Sequence, residues 1–283
     1  MYRNLNQLSF QYASITMGKK HQGLFLIIIL CFIFLPNCAS FHKPFYQEPL
    51  HLGEVKNIIE KIQDQEKKVS SFYSLGSLSV QDGNWESESN ILTIGKKNPF
   101  IIKMEITHPW GQPILHILID KKKLEVLSFR EKRLYLGPFT PGALSRFLPV
   151  DFNIDLIWAV LRGYPNLIRH HRTALLRRDQ ISLLDGEEKE VEIIEPYPGN
   201  LLPKLVSFPE KTISLVFSNF KEDEGIIYAR EVEVEMAKRG MGLVLKNRKM
   251  VFNKSIPEQV FIIKKPPSFK TFHLDQKDGE ESQ

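Results

Sequence analysis

Cysteine is scarce in this chain, with only Cys31 and Cys38 among 283 residues. That scarcity excludes a zinc site built on thiolates, a CxxC redox pair and a disulfide framework. Long hydrophobic runs are scarce too. The one run, residues 24–35 (LFLIIILCFIFL), has twelve apolar residues and is too short to span a bilayer. Neither sign of charge dominates, with 38 basic and 33 acidic residues. No strongly basic surface is therefore expected, and a nucleic-acid partner gains no support. The chain has no P-loop, no G-x-G-x-x-G and no G-x-S-x-G elbow. Nothing places a nucleophile and a base at a recognisable spacing, so neither an enzyme nor a cofactor is expected. Internal repeats and low-complexity tracts are absent as well.

What is present begins with that apolar run. Lys19 and Lys20 precede it, and Pro36, Asn37 and Cys38 follow. A basic pair ahead of a short apolar stretch is the pattern of a secretory signal. Its end resembles the bacterial lipobox, with Leu35 three residues before Cys38; Pro36 and Asn37 stand where small residues are usual. Residues 1–37 are read as a lipoprotein signal peptide, cut before Cys38, which then carries acyl chains. Met17 heads a compact signal of its own, so residues 1–16 read as an upstream mis-start. Cys31 leaves with the signal, and Cys38 becomes the sole cysteine. Arg3, Lys19 and Lys20 leave with it and no acid does, so 35 basic residues face 33 acidic ones in the 246 that follow.

Residues 38–50 read as a lipidated tether, proline-containing and without periodicity. Residues 54–69 predict a helix, with Val55, Ile58, Ile59 and Ile62 on one face. From Phe72 the period falls to two. Phe100, Ile102, Met104 and Ile106 alternate with Ile101, Lys103 and Glu105, and Leu115, Ile117 and Ile119 alternate in the next run. Turn residues separate short strands, which predicts consecutive antiparallel hairpins. Residues 138–165 predict two helical pieces, with Pro141 in the first turn of one, Asp151 capping the other, and Gly163 and Pro165 ending it. Strands return at 180–184, 190–195, 205–208, 212–218, 226–236 and 243–252. In the last hairpin Glu235 is expected opposite Lys246, Glu233 opposite Arg248, and Met236 opposite Leu245. Residues 264–283 are polar and charged and predict a disordered tail. The domain is then 51–263, in an α+β arrangement with helices on one face of a sheet.

Three groups invite a chemical reading. His170 and His171, side by side on a strand, would point to opposite faces and lack acidic or thiol neighbours, so they read as a solvated basic segment. Glu231, Glu233 and Glu235 read as a charged face matched to Lys246 and Arg248. The segment Thr107-His108-Pro109-Trp110-Gly111-Gln112-Pro113 joins two apolar strands. Its composition suits equally a turn whose Trp folds into the core and an exposed aromatic at a membrane interface.

Four segments, taken in order, resemble the LolB-like and LolA-like lipoprotein-localisation family. They are SLGSLSV, with Gly76 entering a strand after a helix; FIIKMEITHPWGQPILHILI; LPVDFNIDLIWAVLRGYP, with Leu161, Gly163 and Pro165; and LLPKLVSFPEKTISLVFSNF. The resemblance implies an incomplete antiparallel β-barrel, with helices covering its open side and an apolar interior that receives acyl chains of other lipoproteins. It implies an outer-membrane lipoprotein that helps insert such cargo in the membrane, supplied by a periplasmic carrier protein. It also implies that the loop of Pro109, Trp110 and Gly111 takes part in transfer. Ala39, rather than Asp, follows Cys38, which fits outer-membrane sorting. Met104, Ile106, Leu115, Ile117, Phe152, Ile157, Trp158 and Leu161 are candidate cavity lining, and their spacing equally suits plain core. A non-transporting envelope-assembly or interaction lipoprotein, or an anchored sensor of apolar ligands, would use the same fold. Replacing Cys38 by Ala is expected to leave the chain soluble or retained with its signal. Normal membrane fractionation of that variant would contradict lipidation.

Overall fold

In the computed structural model, the described residues are 50–83, 85–149, 151–237 and 240–274. The expected signal, Cys38, the tether up to residue 49 and the tail beyond residue 274 lie outside them. The described residues hold fourteen strands: β1 (Ser71–Asp82), β2 (Trp85–Lys96), β3 (Ile101–Thr107), β4 (Pro113–Asp120), β5 (Lys123–Ser128), β6 (Arg133–Pro138), β7 (Arg172–Arg177), β8 (Gln180–Leu184), β9 (Glu190–Pro196), β10 (Pro203–Phe208), β11 (Ile213–Asp223), β12 (Ile226–Met236), β13 (Met241–Phe252) and β14 (Lys270–His273). They form one sheet in the order β14-β6-β5-β4-β3-β2-β1-β13-β12-β11-β10-β9-β8-β7. The two end strands are not neighbours, so the sheet is open. All pairings are antiparallel except β14 with β6. The chain makes one meander from β1 (Ser71–Asp82) to β6 (Arg133–Pro138) and a second from β7 (Arg172–Arg177) to β13 (Met241–Phe252). β1 and β13 join the two. The link from β6 to β7 must therefore run from one flank of the sheet to the far edge.

That link carries helices α2 (Pro141–Leu144) and α3 (Ile154–Arg162). Helix α1 (Leu52–Lys68) precedes β1. Its stripe of Val55, Ile58 and Ile62 is buried in the same core as the sheet residues Ile102, Met104, Ile117 and Ile119. Gln65 fixes α1 to the turn between β11 and β12: its Nε2 donates to Gly225 O (3.1 Å), and its Oε1 accepts from Ile227 N (2.8 Å). Helix α3 is apolar on nearly every side, and Leu156 through Arg162 are all buried. An all-round apolar helix of nine residues fits only where it is covered on several sides.

The end of α3 is built by two residues. Gly163 has φ +74°, a left-handed conformation, and its carbonyl accepts from Ala229 N at 2.6 Å. A Cβ there would lie 2.5 Å from Ala229 O. Arg162, 1 % exposed, donates to three carbonyl oxygens: Tyr164 (3.2 Å), Gln65 (2.8 Å) and Pro165 (3.3 Å). Burial lowers its pKa to about 10, which leaves it charged at neutral pH. Together they clamp α3 to β12 and α1.

Four expectations need correcting. Helix α3 is capped by Asn153, whose Oδ1 accepts from Leu156 N at 2.9 Å, and not by Asp151. The β12–β13 hairpin is shifted by four residues in summed register: Glu231 faces Lys246, Glu233 faces Val244, and Met236 faces Met241. The physical reason is the turn, which places the left-handed Gly240 (φ +62°) just before β13. Only the Glu231–Lys246 pair forms, at 3.5 Å, while Arg248 turns to Asn90 Oδ1 (3.0 Å) and Gly76 O (3.3 Å). Third, residues 264–274 are not a featureless tail, because Lys270–His273 forms β14. Phe272 lies under the Arg133 guanidinium (4.2 Å) and near Tyr135, and aromatic contact outweighs the polar composition. Fourth, His170 and His171 precede β7 and do not lie within a strand. Replacing Gly163 by Ala is expected to lower unfolding free energy in urea by about 2–4 kcal/mol, from the left-handed φ and the contact with Ala229. A change below about 0.5 kcal/mol would contradict so close an approach.

Candidate functional site

The central strands of the sheet, β3-β2-β1-β13-β12, are neighbours in that order, and the helical link packs over them. Their inward residues are apolar at every second position. Leu78, Ile91, Met104, Val234, Leu243 and Leu245 form one wall of a cavity. Leu144, Leu148, Phe152, Ile157, Val160 and Leu161 of the α2–α3 segment form the other. Among the described residues no polar side chain stands on either wall. The cavity measures about 50 Å³. One water molecule needs about 10–15 Å³ of such space, so the cavity has room for a few waters, and a long acyl chain does not fit unless a wall moves.

Of the residues expected to line a cavity, Met104, Phe152, Ile157 and Leu161 stand on its walls. Ile106, Ile117 and Trp158 are buried away from those walls, and Leu115 is half-buried against the core. Trp158 packs edge-on against Phe72 (5.0 Å between ring centres) and leans on Phe100 (5.9 Å). It fills the sheet–helix interface with aromatic bulk. The walls supplied by β1, β2, β12, β13 and α2 were not anticipated. Their period-two apolar pattern was visible, but the pairing of β1 with β13, which makes them neighbours, has no local sequence signal.

Trp110 is 71 % exposed at the tip of the β3–β4 turn. Its ring stacks on His108 at 4.5 Å, with 4° between the planes. The tip is held from several sides. Gly111, at φ +92°, donates its N–H to His108 O (2.8 Å), and His108 N donates to Gln112 O (2.8 Å). Asn90 Nδ2 donates to His108 O (3.3 Å) and Pro109 O (3.2 Å), and Arg248 braces Asn90 from β13. The indole is therefore presented outward on a turn with satisfied backbone groups. It follows β3, the strand that carries Met104 to the cavity wall.

The buried polar groups were also unforeseen. Glu192 on β9 (Glu190–Pro196) is fully buried, with Oε2 accepting from Ile168 N at 2.8 Å. Its Oε1 finds no partner among the described residues. Burial pushes its pKa up to about 8. Tyr164, buried beside Arg162, is pushed up to about 12 by the same cause. No group of three or more His, Cys, Asp or Glu among the described residues could hold a metal ion. No described helix is long and apolar enough to cross a membrane. Replacing Leu161 by Ala is expected to enlarge the cavity and lower stability by about 2–5 kcal/mol. Unchanged denaturant stability would show that Leu161 bears no packing load on that wall.

No family model and no curated protein sequence matches the chain. Solved structures do. A DUF1329 family protein from Desulfovibrio piger is 14 % identical with a TM-score of 0.52, over 74 % of this chain and 97 % of its own. A putative outer membrane lipoprotein-sorting protein domain from Vibrio parahaemolyticus is 10 % identical, with a TM-score of 0.50 over 73 % and 97 %. A LolA superfamily protein from Nitrosomonas europaea is 17 % identical, with a TM-score of 0.50 over 74 % and 97 %. At these identities the likeness is one of fold. A single open sheet, few helices and these neighbours together give the chain a LolA/LolB-like fold.

Proposed function

We propose that this protein is a lipid-anchored lipoprotein of the outer membrane, which takes acyl chains of other lipoproteins between its sheet and its α2–α3 segment and helps insert them in the membrane. The observation that carries this reading is the wholly apolar cavity between an open sheet and a helical segment. In this reading the α2–α3 segment covers the open side as a lid. Its α3 end is clamped by Gly163 and Arg162, so the lid swings from the α2 end, where the connection is irregular. Each buried acyl methylene is worth about 0.8 kcal/mol, so an acylated cargo needs such cover to cross water. A periplasmic carrier protein would deliver it, Cys38 would hold the protein at the bilayer, and Trp110 would seek the membrane interface.

The small volume favours a second reading. An envelope-assembly or interaction lipoprotein would keep the same fold and never open it. Mass spectrometry of what co-purifies with the domain lacking residues 1–38 separates the two. Acylated peptides are expected under the first reading; nothing bound supports the second, and free fatty acid would point to a sensor of apolar ligands. Replacing the exposed Trp110 by Glu is expected to leave the domain folded while blocking delivery of cargo lipoproteins to the membrane. Delivery at the wild-type rate would remove the loop from the mechanism.

A further inference from the structure

Helix α3 leaves the cavity wall through the segment Gly163–Ile168; its first half is held by the Arg162–Gly163 clamp, and its far end, Ile168, meets one carboxyl group. Glu192 reaches up from β9 to accept the Ile168 N–H at 2.8 Å. The neighbouring positions on the sheet are apolar: Leu183 lies directly opposite on β8, and Ile194 follows on its own strand, both fully buried. Charged and titratable groups stand on the surrounding elements. They are Asp155 on α3, Arg169, His170 and His171 on the exit segment, Glu190 and Glu195 on β9, and Glu210 and Lys211 after β10. Those with side-chain partners are engaged elsewhere: Glu190 with Ser182 and Arg177, Glu195 with Gln180, and Glu210 with Lys189. His170 meets Ile168 O at 2.9 Å and Thr173 Oγ1 at 3.3 Å. None of them bonds or pairs with the Glu192 carboxyl among the described residues.

We propose that Glu192 is a proton-operated latch at the foot of the lid: uncharged, it lets the stretch from Pro165 to Ile168 pack down behind the clamp, and ionised, it releases that stretch while Arg162 and Gly163 still hold α3 to α1 and β12. It is a positioning residue that acts through Ile168. The proposal deepens the acyl-binding reading and rests on it only for what the lid uncovers. A charge in this site would have one amide for company and no cation, and an unpartnered buried carboxylate is costly. An open form that wets the carboxyl restores its ordinary range. The sign follows. The closed form favours the protonated group, with its pKa raised from 4.5 to about 8. The closed form is therefore best held at low pH and progressively lost as pH rises toward 8. The opening equilibrium gains about tenfold per pH unit over that interval and levels off above it.

Hydrogen exchange of the full chain in detergent micelles tests this, reading the amides of Asn166 to Arg169, that of Ile168 above all, between pH 5 and 9 after correction for intrinsic rates. The expected result is opening that climbs about tenfold per pH unit and flattens near pH 8. Amides of Val232 to Met236 should stay protected throughout. In Glu192→Gln the profile should be flat. A flat wild-type profile overturns the proposal, as does a Gln variant that climbs like the wild type. Binding of an acylated peptide, measured on the same samples, reports on the acyl-binding reading separately. The expected exchange profile supports the latch even where no peptide binds.

Discussion

The structure depends on one topological constraint. The first meander ends at β6, toward one flank of the open sheet, and the second begins at β7, the far edge. The chain between them has to travel across the sheet. A broad apolar face needs cover, and the crossing segment is apolar enough to supply it. Cavity and clamp both follow from that crossing. The cavity lies where the segment passes over the central strands, and the clamp lies where it turns down toward β7.

The clamp shows how polar chemistry is used in a largely apolar interior. Arg162 has no buried carboxylate beside it, and three carbonyl oxygens share its donors instead. Two of these belong to the turn after α3 and the third to α1, so one cation ties three pieces of chain. Gly163 adds a backbone bond to β12 that a side chain would obstruct. Five residues further on, Ile168 N donates to Glu192, whose other carboxyl oxygen finds no partner among the described residues. The α3 end of the crossing segment is thus held by satisfied bonds, and the stretch just past it by a titratable one.

Much of the fold was legible in the residues. Period-two runs located most strands, the Val55–Ile62 stripe located α1, and Gly163 located the end of α3. These are local signals, set by spacing and by backbone conformation. What was illegible depends on contacts distant in sequence. The β1–β13 pairing joins residues more than 150 positions apart, and it places Leu78 beside Leu245 on the cavity wall. The register of β12–β13 was misjudged because exposed charge pairs are weak, about 0–1 kcal/mol each, and a turn with one left-handed glycine outweighs them. β14 was missed because Phe269 and Phe272 sit in a polar context and gain their partners from Phe129, just past β5, and from β6. Glu192 looks like any strand carboxylate until Ile168 and the segment around it close over it.

The central claim is that the sheet and the α2–α3 segment part to admit an acyl chain. The most direct test is an experimental structure of the domain with a triacylated peptide bound. The account predicts an acyl chain lying against Met104, Val234 and Leu243, with the segment from α2 into α3 displaced and the Arg162–Gly163 clamp intact. Lipid found only on the outer surface, with the cavity still at about 50 Å³, would contradict it.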